Sequence, residues 1–264
     1  MKNLMIKFGI TVIALTFGCV AIAGQTGGST LNADSDAAAG LDLYAVAELF
    51  KDSENLEKFE QALNDPARGL NNLDLNKDNQ VDFIRAVEQI KDNTHLIILQ
   101  VPLGRDDYQD VATIAVEKES GEKYNLHIQG DTVLYGANYY VVPANNNFSA
   151  WDVVRWLVRP NYYPYVSRYS YSVLPTWWTV RQPVTLNVYR GRTGLFSGRS
   201  NFVASRTLTV RTVNKIVYHP RTSPIVTRKA AVTHTTIVTK PSNANRPTQT
   251  TVKTQTKVTK VKKH

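Results

Sequence analysis

Residues 96–129, LIILQVPLGRDDYQDVATIAVEKESGEKYNLHIQ, hold three β-patterned runs parted by two turn-forming stretches. The runs are Leu96–Pro102, Val111–Lys118 and Lys123–Gln129. Ala112, Ile114 and Val116 share one face of the second run, and Leu126 and Ile128 do the same on the third. His127 falls on the opposite face, which reads as exposed. The connectors LGRDDYQ and ESGE are too short for a crossover, so the strands form an antiparallel meander. A fourth strand, Val81–Glu88, precedes them across the turn residues KDN.

Upstream, the period changes from two to helical spacing. Leu43, Val46, Ala47, Leu49 and Phe50 make one stripe; after a cap at Asp52 or Ser53, Leu56, Phe59 and Leu63 make a second that stops before Pro66. Two short helices on an antiparallel sheet give an α+β fold for residues 41–144, a usual domain size. The loop 74–85 joins helices to strands.

The flanks differ in kind. Lys2 and Lys7 precede the apolar run Phe8–Ala23, which ends in Ala21-Ile22-Ala23, so residues 1–23 read as a signal peptide. The chain is therefore expected to be exported, to the periplasm, cell envelope or medium. Residues 24–40 are a small, polar spacer. The single cysteine, Cys19, lies in the signal. Thiol nucleophiles, thiolate zinc sites and haem attachment through cysteine are thereby excluded from the exported chain.

Charge divides what remains. Residues 24–150 carry 9 Lys+Arg against 21 Asp+Glu, a net of −12, whereas residues 151–264 carry 20 against one, Asp152, a net of +19. Segregation on this scale marks separate functional units. Residues 145–182 contain AWDVVRWLV, a helical turn or two, and RPNYYPYVSRYSYSVLPTWW, whose prolines oppose a regular helix or central strand. Residues 183–264 form a basic Thr/Lys/Arg-rich tail. It holds the β-like triplets TLNVY and TLTVRTV and 12 threonines between 222 and 259. The basic half therefore reads as largely irregular or disordered.

One local motif carries chemistry. In LDLNKDNQVDFI, residues 73–84, oxygen donors recur at alternate positions: Asp74, Asn76, Asp78, the Gln80 carbonyl and Asp82. Such spacing wraps a loop around calcium, which needs six to eight oxygens. Asn79 occupies the position where glycine is usual, and Arg85 the position where an EF-hand places a bidentate carboxylate. The loop resembles EF-hand loops and, with a strand following, the calcium loops of FG-GAP repeats, over about nine residues. That resemblance implies a local, structural calcium site. Without an ion the same residues make a polar turn bonded to its own backbone. Asp106, Asp107 and Asp110 read as a solvated turn.

No GxSxG, HExxH, P-loop or GxGxxG occurs, so no catalytic residue is assigned. His95 and His127 read as surface residues. A secreted hydrolase using carboxylates that meet only in space is the enzymatic alternative. The basic half points instead to polyanions such as acidic polysaccharide, lipopolysaccharide or extracellular DNA, with Lys253, Lys257, Lys260, Lys262 and Lys263 as the binding residues. There is no dedicated nucleic-acid motif. The Tyr/Trp block suits contact with a membrane surface. A tail that only neutralises its own acidic domain is the remaining alternative. Taken whole, the chain resembles exported bacterial proteins that join a calcium-loop α+β module to an aromatic, basic tail, a likeness that confers no activity.

Overall fold

The structure, a computed structural model, describes residues 38–121, 123–145, 148–199, 201–206 and 218–227. The predicted signal and the five tail lysines lie outside these residues. Two helices, α1 (Leu43–Lys51) and α2 (Leu56–Asn64), precede the strands β1 (Arg85–Lys91), β2 (Thr94–Pro102), β3 (Tyr108–Lys118) and β4 (Tyr124–Gly130). Then come α3 (Thr132–Tyr135), β5 (Tyr140–Pro143), α4 (Asp152–Leu157), α5 (Leu186–Arg199) and β6 (Phe202–Ser205). The strands form one antiparallel sheet in chain order, an α+β architecture.

Local chemistry sets the boundaries. Asp42 caps α1 by accepting the Tyr44 N–H at 2.8 Å. The cap of α2 is Asn55, which accepts the Lys58 N–H at 2.9 Å. The expected cap at Asp52 or Ser53 fails because the Ser53 hydroxyl donates back to the Leu49 carbonyl at 2.6 Å, closing α1. β1 begins at Arg85 and not Val81 because the main chain of Ile84 is taken by a side chain. Asn64 accepts the Ile84 N–H at 2.9 Å and donates to the Ile84 carbonyl at 2.7 Å, doing what a neighbouring strand would do.

The sheet face toward the helices carries Ala86, Ile97, Leu99, Ile114, Val116, Ile128 and Val141, and it packs against Leu43, Val46, Phe50, Phe59 and Leu63. Phe50 meets Phe59 edge to face at 5.4 Å. Each such side chain contributes about 1.5–3 kcal/mol by leaving water. Gly130 ends β4 beneath Tyr135, where a Cβ would stand 2.6 Å from the ring.

The core continues past residue 144. Phe148, Val153, Val154, Leu157, Phe202 and Val226 join the same cluster. TLNVY, residues 185–189, opens helix α5 instead of forming β structure. Its Tyr189 is fully buried, accepts the Asp42 N–H at 2.8 Å and donates to the Leu70 carbonyl at 2.9 Å. Two satisfied bonds on a buried ring outweigh the β preference of a short triplet. TLTVRTV lies outside the described residues.

Candidate functional site

Where the acidic and basic halves meet, the chain is held by buried carboxylates. Residues 159–184 run as a strap past the edge of β1, and Val87 bridges Val166 in antiparallel sense. The Glu88 N–H donates to the Tyr165 carbonyl at 2.7 Å, and the Ser167 N–H to the Ala86 carbonyl at 2.9 Å. The strap thus satisfies an edge that otherwise offers unpaired backbone groups.

Two glutamates secure it. Glu60, on α2 and only 2 % exposed, accepts the Ala86 N–H at 2.6 Å and the Ser167 hydroxyl at 2.9 Å. Burial pushes its carboxyl up to about 7, against those bonds and the nearby Arg85 charge. Glu88, 3 % exposed, meets His95 Nδ1 at 2.7 Å with one oxygen. Its other oxygen accepts the Tyr162 hydroxyl and, at 2.8 Å, the Tyr165 N–H. Tyr162 also stands edge-on to His95 at 5.5 Å and to Trp156 at 4.8 Å, and the Arg159 guanidinium lies 4.9 Å over Trp156. Both oxygens of Glu88 are engaged, so its chemistry is that of a clamp.

A second clamp holds residues 218–227. Asp110, at the start of β3 and 1 % exposed, accepts the Gln100 amide and the Tyr218 hydroxyl at 2.6 Å each and the Arg221 N–H at 2.8 Å. Asp107 accepts the Ser223 hydroxyl at 2.8 Å, and Gln109 accepts the Ser223 N–H at 3.1 Å. The Arg221 guanidinium rests 5.1 Å over the Tyr108 ring. Asp107 and Asp110, expected in a solvated turn, are therefore docking groups. Sequence offers no cue to their partners, more than a hundred residues away.

The 74–82 loop closes on itself. Asp74 accepts the N–H groups of Asp78 (3.1 Å) and Asn79 (3.0 Å), and Asn76 accepts that of Asp78 at 2.9 Å. Asp78 accepts the Gln80 N–H at 2.9 Å, and Lys77 and Asn79 have φ of 54° and 65°. Asp74, Asn76 and Asp78 therefore gather at one turn. Asp82 directs an oxygen to the Leu75 N–H at 2.6 Å, and Arg85 turns to the Tyr108 ring. Among the described residues no group of three or more His, Cys, Asp or Glu side chains is placed to hold a metal ion. The strap closes over the loop's flanks: Arg181 accepts the Val81 N–H through its carbonyl at 2.8 Å and donates to the Asn71 carbonyl at 3.1 Å. Asn72 exchanges two bonds with Val184, at 2.8 and 2.9 Å.

Neither His95 nor His127 is at the surface. His95 belongs to the Glu88 clamp. His127 is fully buried beside Tyr140, and among the described residues neither ring nitrogen has a hydrogen-bond partner. Burial lowers it to about 4, so it sits neutral. A groove of about 510 Å³ opens along α1 and α2, lined by Asp52, Glu54, Lys58, Asp65, Arg68 and Trp177. Its one hydroxyl, that of Ser53, donates to the Leu49 carbonyl. Among the described residues, no helix is long and apolar enough to cross a membrane.

Compared with known proteins, the chain matches no family model, no curated protein and no solved structure, so site geometry alone carries a functional reading.

Proposed function

We propose that the protein is an exported interaction protein that associates with polyanions or the cell surface, its acidic α+β platform holding a basic half whose charge is directed outward. One observation carries this reading. Among the described residues, Glu60, Glu88 and Asp110 take hydroxyl and main-chain donors from the basic half: Ser167 on Glu60, Tyr162 and the Tyr165 N–H on Glu88, Tyr218 and the Arg221 N–H on Asp110. Four of the basic half's arginines rest on rings or pair locally: Arg159 on Trp156, Arg181 on Trp178, Arg221 on Tyr108, and Arg155 with Asp152. A basic half serving only to neutralise its own domain would bring the cations of its described residues to those carboxylates.

The proposed polyanion contacts, Lys253, Lys257, Lys260, Lys262 and Lys263, lie outside the described residues. Calcium, held by Asp74, Asn76, Asp78, the Gln80 carbonyl and Asp82, is a structural staple in this reading, supported by the convergence of the first three residues. The test is titration of the chain from Gly24 onward with heparin at low salt. Tight binding, weakened when the five lysines become glutamine, supports the proposal. No affinity for heparin or any other acidic glycan, lipid or DNA defeats it.

A further inference from the structure

The strap's outer side is rich in exposed apolar side chains. Tyr163 is 81 % exposed, Val166 58 %, Tyr171 55 %, Val173 54 % and Leu174 39 %. Single exposed apolar side chains are ordinary, but five within twelve residues of one segment point to an interaction surface.

The segment is also fixed. From Tyr165 to Tyr169 the chain alternates, with Tyr165, Ser167 and Tyr169 turned inward and Val166 and Arg168 outward. Glu60 and Glu88 hold the inward set. Ser170 and Val173 exchange N–H to carbonyl bonds of 3.0 and 3.2 Å, a tight turn that puts Tyr171 and Ser172 at its tip. Arg159 and Arg168 are exposed beside the patch, and no carboxylate side chain follows Asp152.

We propose that this outer side, Tyr163 to Leu174, docks at the headgroup boundary of an anionic lipid bilayer; the inference rests on the surface-association reading above and names its partner. Tyrosines there span the wet and apolar zones, valine and leucine enter the acyl boundary, and arginines meet lipid phosphates. An acidic glycan is a poorer match. Sugar rings stack on flat, open indoles, and the strap's tryptophans are half-buried against Phe83, Trp178 at 5.3 Å and Trp177 at 6.1 Å. A second copy is poorer still, because pairing two straps sets Arg159 and Arg168 against their counterparts, and the strap itself carries no acid.

The test is flotation of the chain from Gly24 onward with vesicles of phosphatidylcholine alone or with phosphatidylglycerol added. The triple variant Tyr163→Ser, Tyr171→Ser, Val173→Ser and the single Tyr163→Ser alter only exposed side chains, and unchanged melting temperatures verify their fold. The wild type floats with anionic vesicles. The triple variant partitions about tenfold more weakly, the single variant less so, and both keep wild-type heparin affinity. Flotation of the triple variant equal to wild type overturns the inference, as does a parallel loss of heparin affinity, which makes the patch a glycan site. A wild type that binds heparin but no vesicle overturns the inference alone; one that binds neither overturns both readings.

Discussion

Glu60 is a carboxyl whose partners ask it to be charged and whose surroundings ask it to be neutral. It titrates near 7 in the folded chain against an ordinary 4.5, with burial the larger cause. The folded state therefore holds this proton more tightly than the unfolded chain. Glu60's contribution to stability is full below about pH 4.5, falls as pH rises toward 7 and is lost above, a span on the order of 3 kcal/mol. Asp131, raised to about 6 by burial, acts in the same sense, while His127, lowered to about 4, adds stability as pH rises to 6.5. The wild-type curve is thus a sum, and Glu60→Gln isolates one part. Its stability relative to wild type is expected to climb between pH 5 and 8 in denaturant titrations; parallel curves would refute the assignment. Asn64 gives a second residue-scale test. Its amide bonds Ile84 on both sides and accepts from Asn71 at 3.1 Å, all buried. Asn64→Ala strands those groups and is expected to cost about 3 kcal/mol.

At the scale of elements, periodicity was informative wherever a segment buried one face against near neighbours. Helices α1 and α2 and strands β2, β3 and β4 emerge from apolar spacing alone. Arg85, where β1 begins, does not, because Asn64 ends the loop from across the fold. β5 and β6 are four residues each and pair with one another across Phe148, Trp151 and α5. No local pattern of that length predicts a partner sixty residues away. The prolines of the strap correctly deny it a helix, yet say nothing of Glu60 and Glu88, whose partners lie some eighty to a hundred residues off. Charged residues in half-polar strands read as surface, and only tertiary placement turns them into clamps. Removing one hydroxyl is therefore informative: Tyr162→Phe is expected to loosen the strap, seen as faster amide exchange at Tyr165 and Ser167, with α1 and α2 unaffected. For the 74–82 loop, calcium is expected to raise the melting temperature of the wild type by mass action and leave Asp78→Ala unmoved. Identical wild-type melts in chelator and millimolar calcium would reduce the loop to its Asx turns.

For the whole molecule, the sequence shows two halves of opposite charge and invites the expectation that they pair ion to ion. Among the described residues, Glu60, Glu88 and Asp110 instead grip hydroxyls and amides of the basic half, while Arg159, Arg181 and Arg221 lie on aromatic rings. Such bonds are short-ranged and little affected by salt, whereas a polyanion bound by outward charge releases counterions and is strongly affected. The most direct measurement is the affinity of the chain from Gly24 onward for heparin across a salt series beginning at low ionic strength. Outward-directed charge predicts the tightest binding at the lowest salt and a steady, steep decline. An affinity that first rises with salt, as screening frees a masked tail, and only then falls would contradict the account, because it would mean that the acidic half had already claimed the charge.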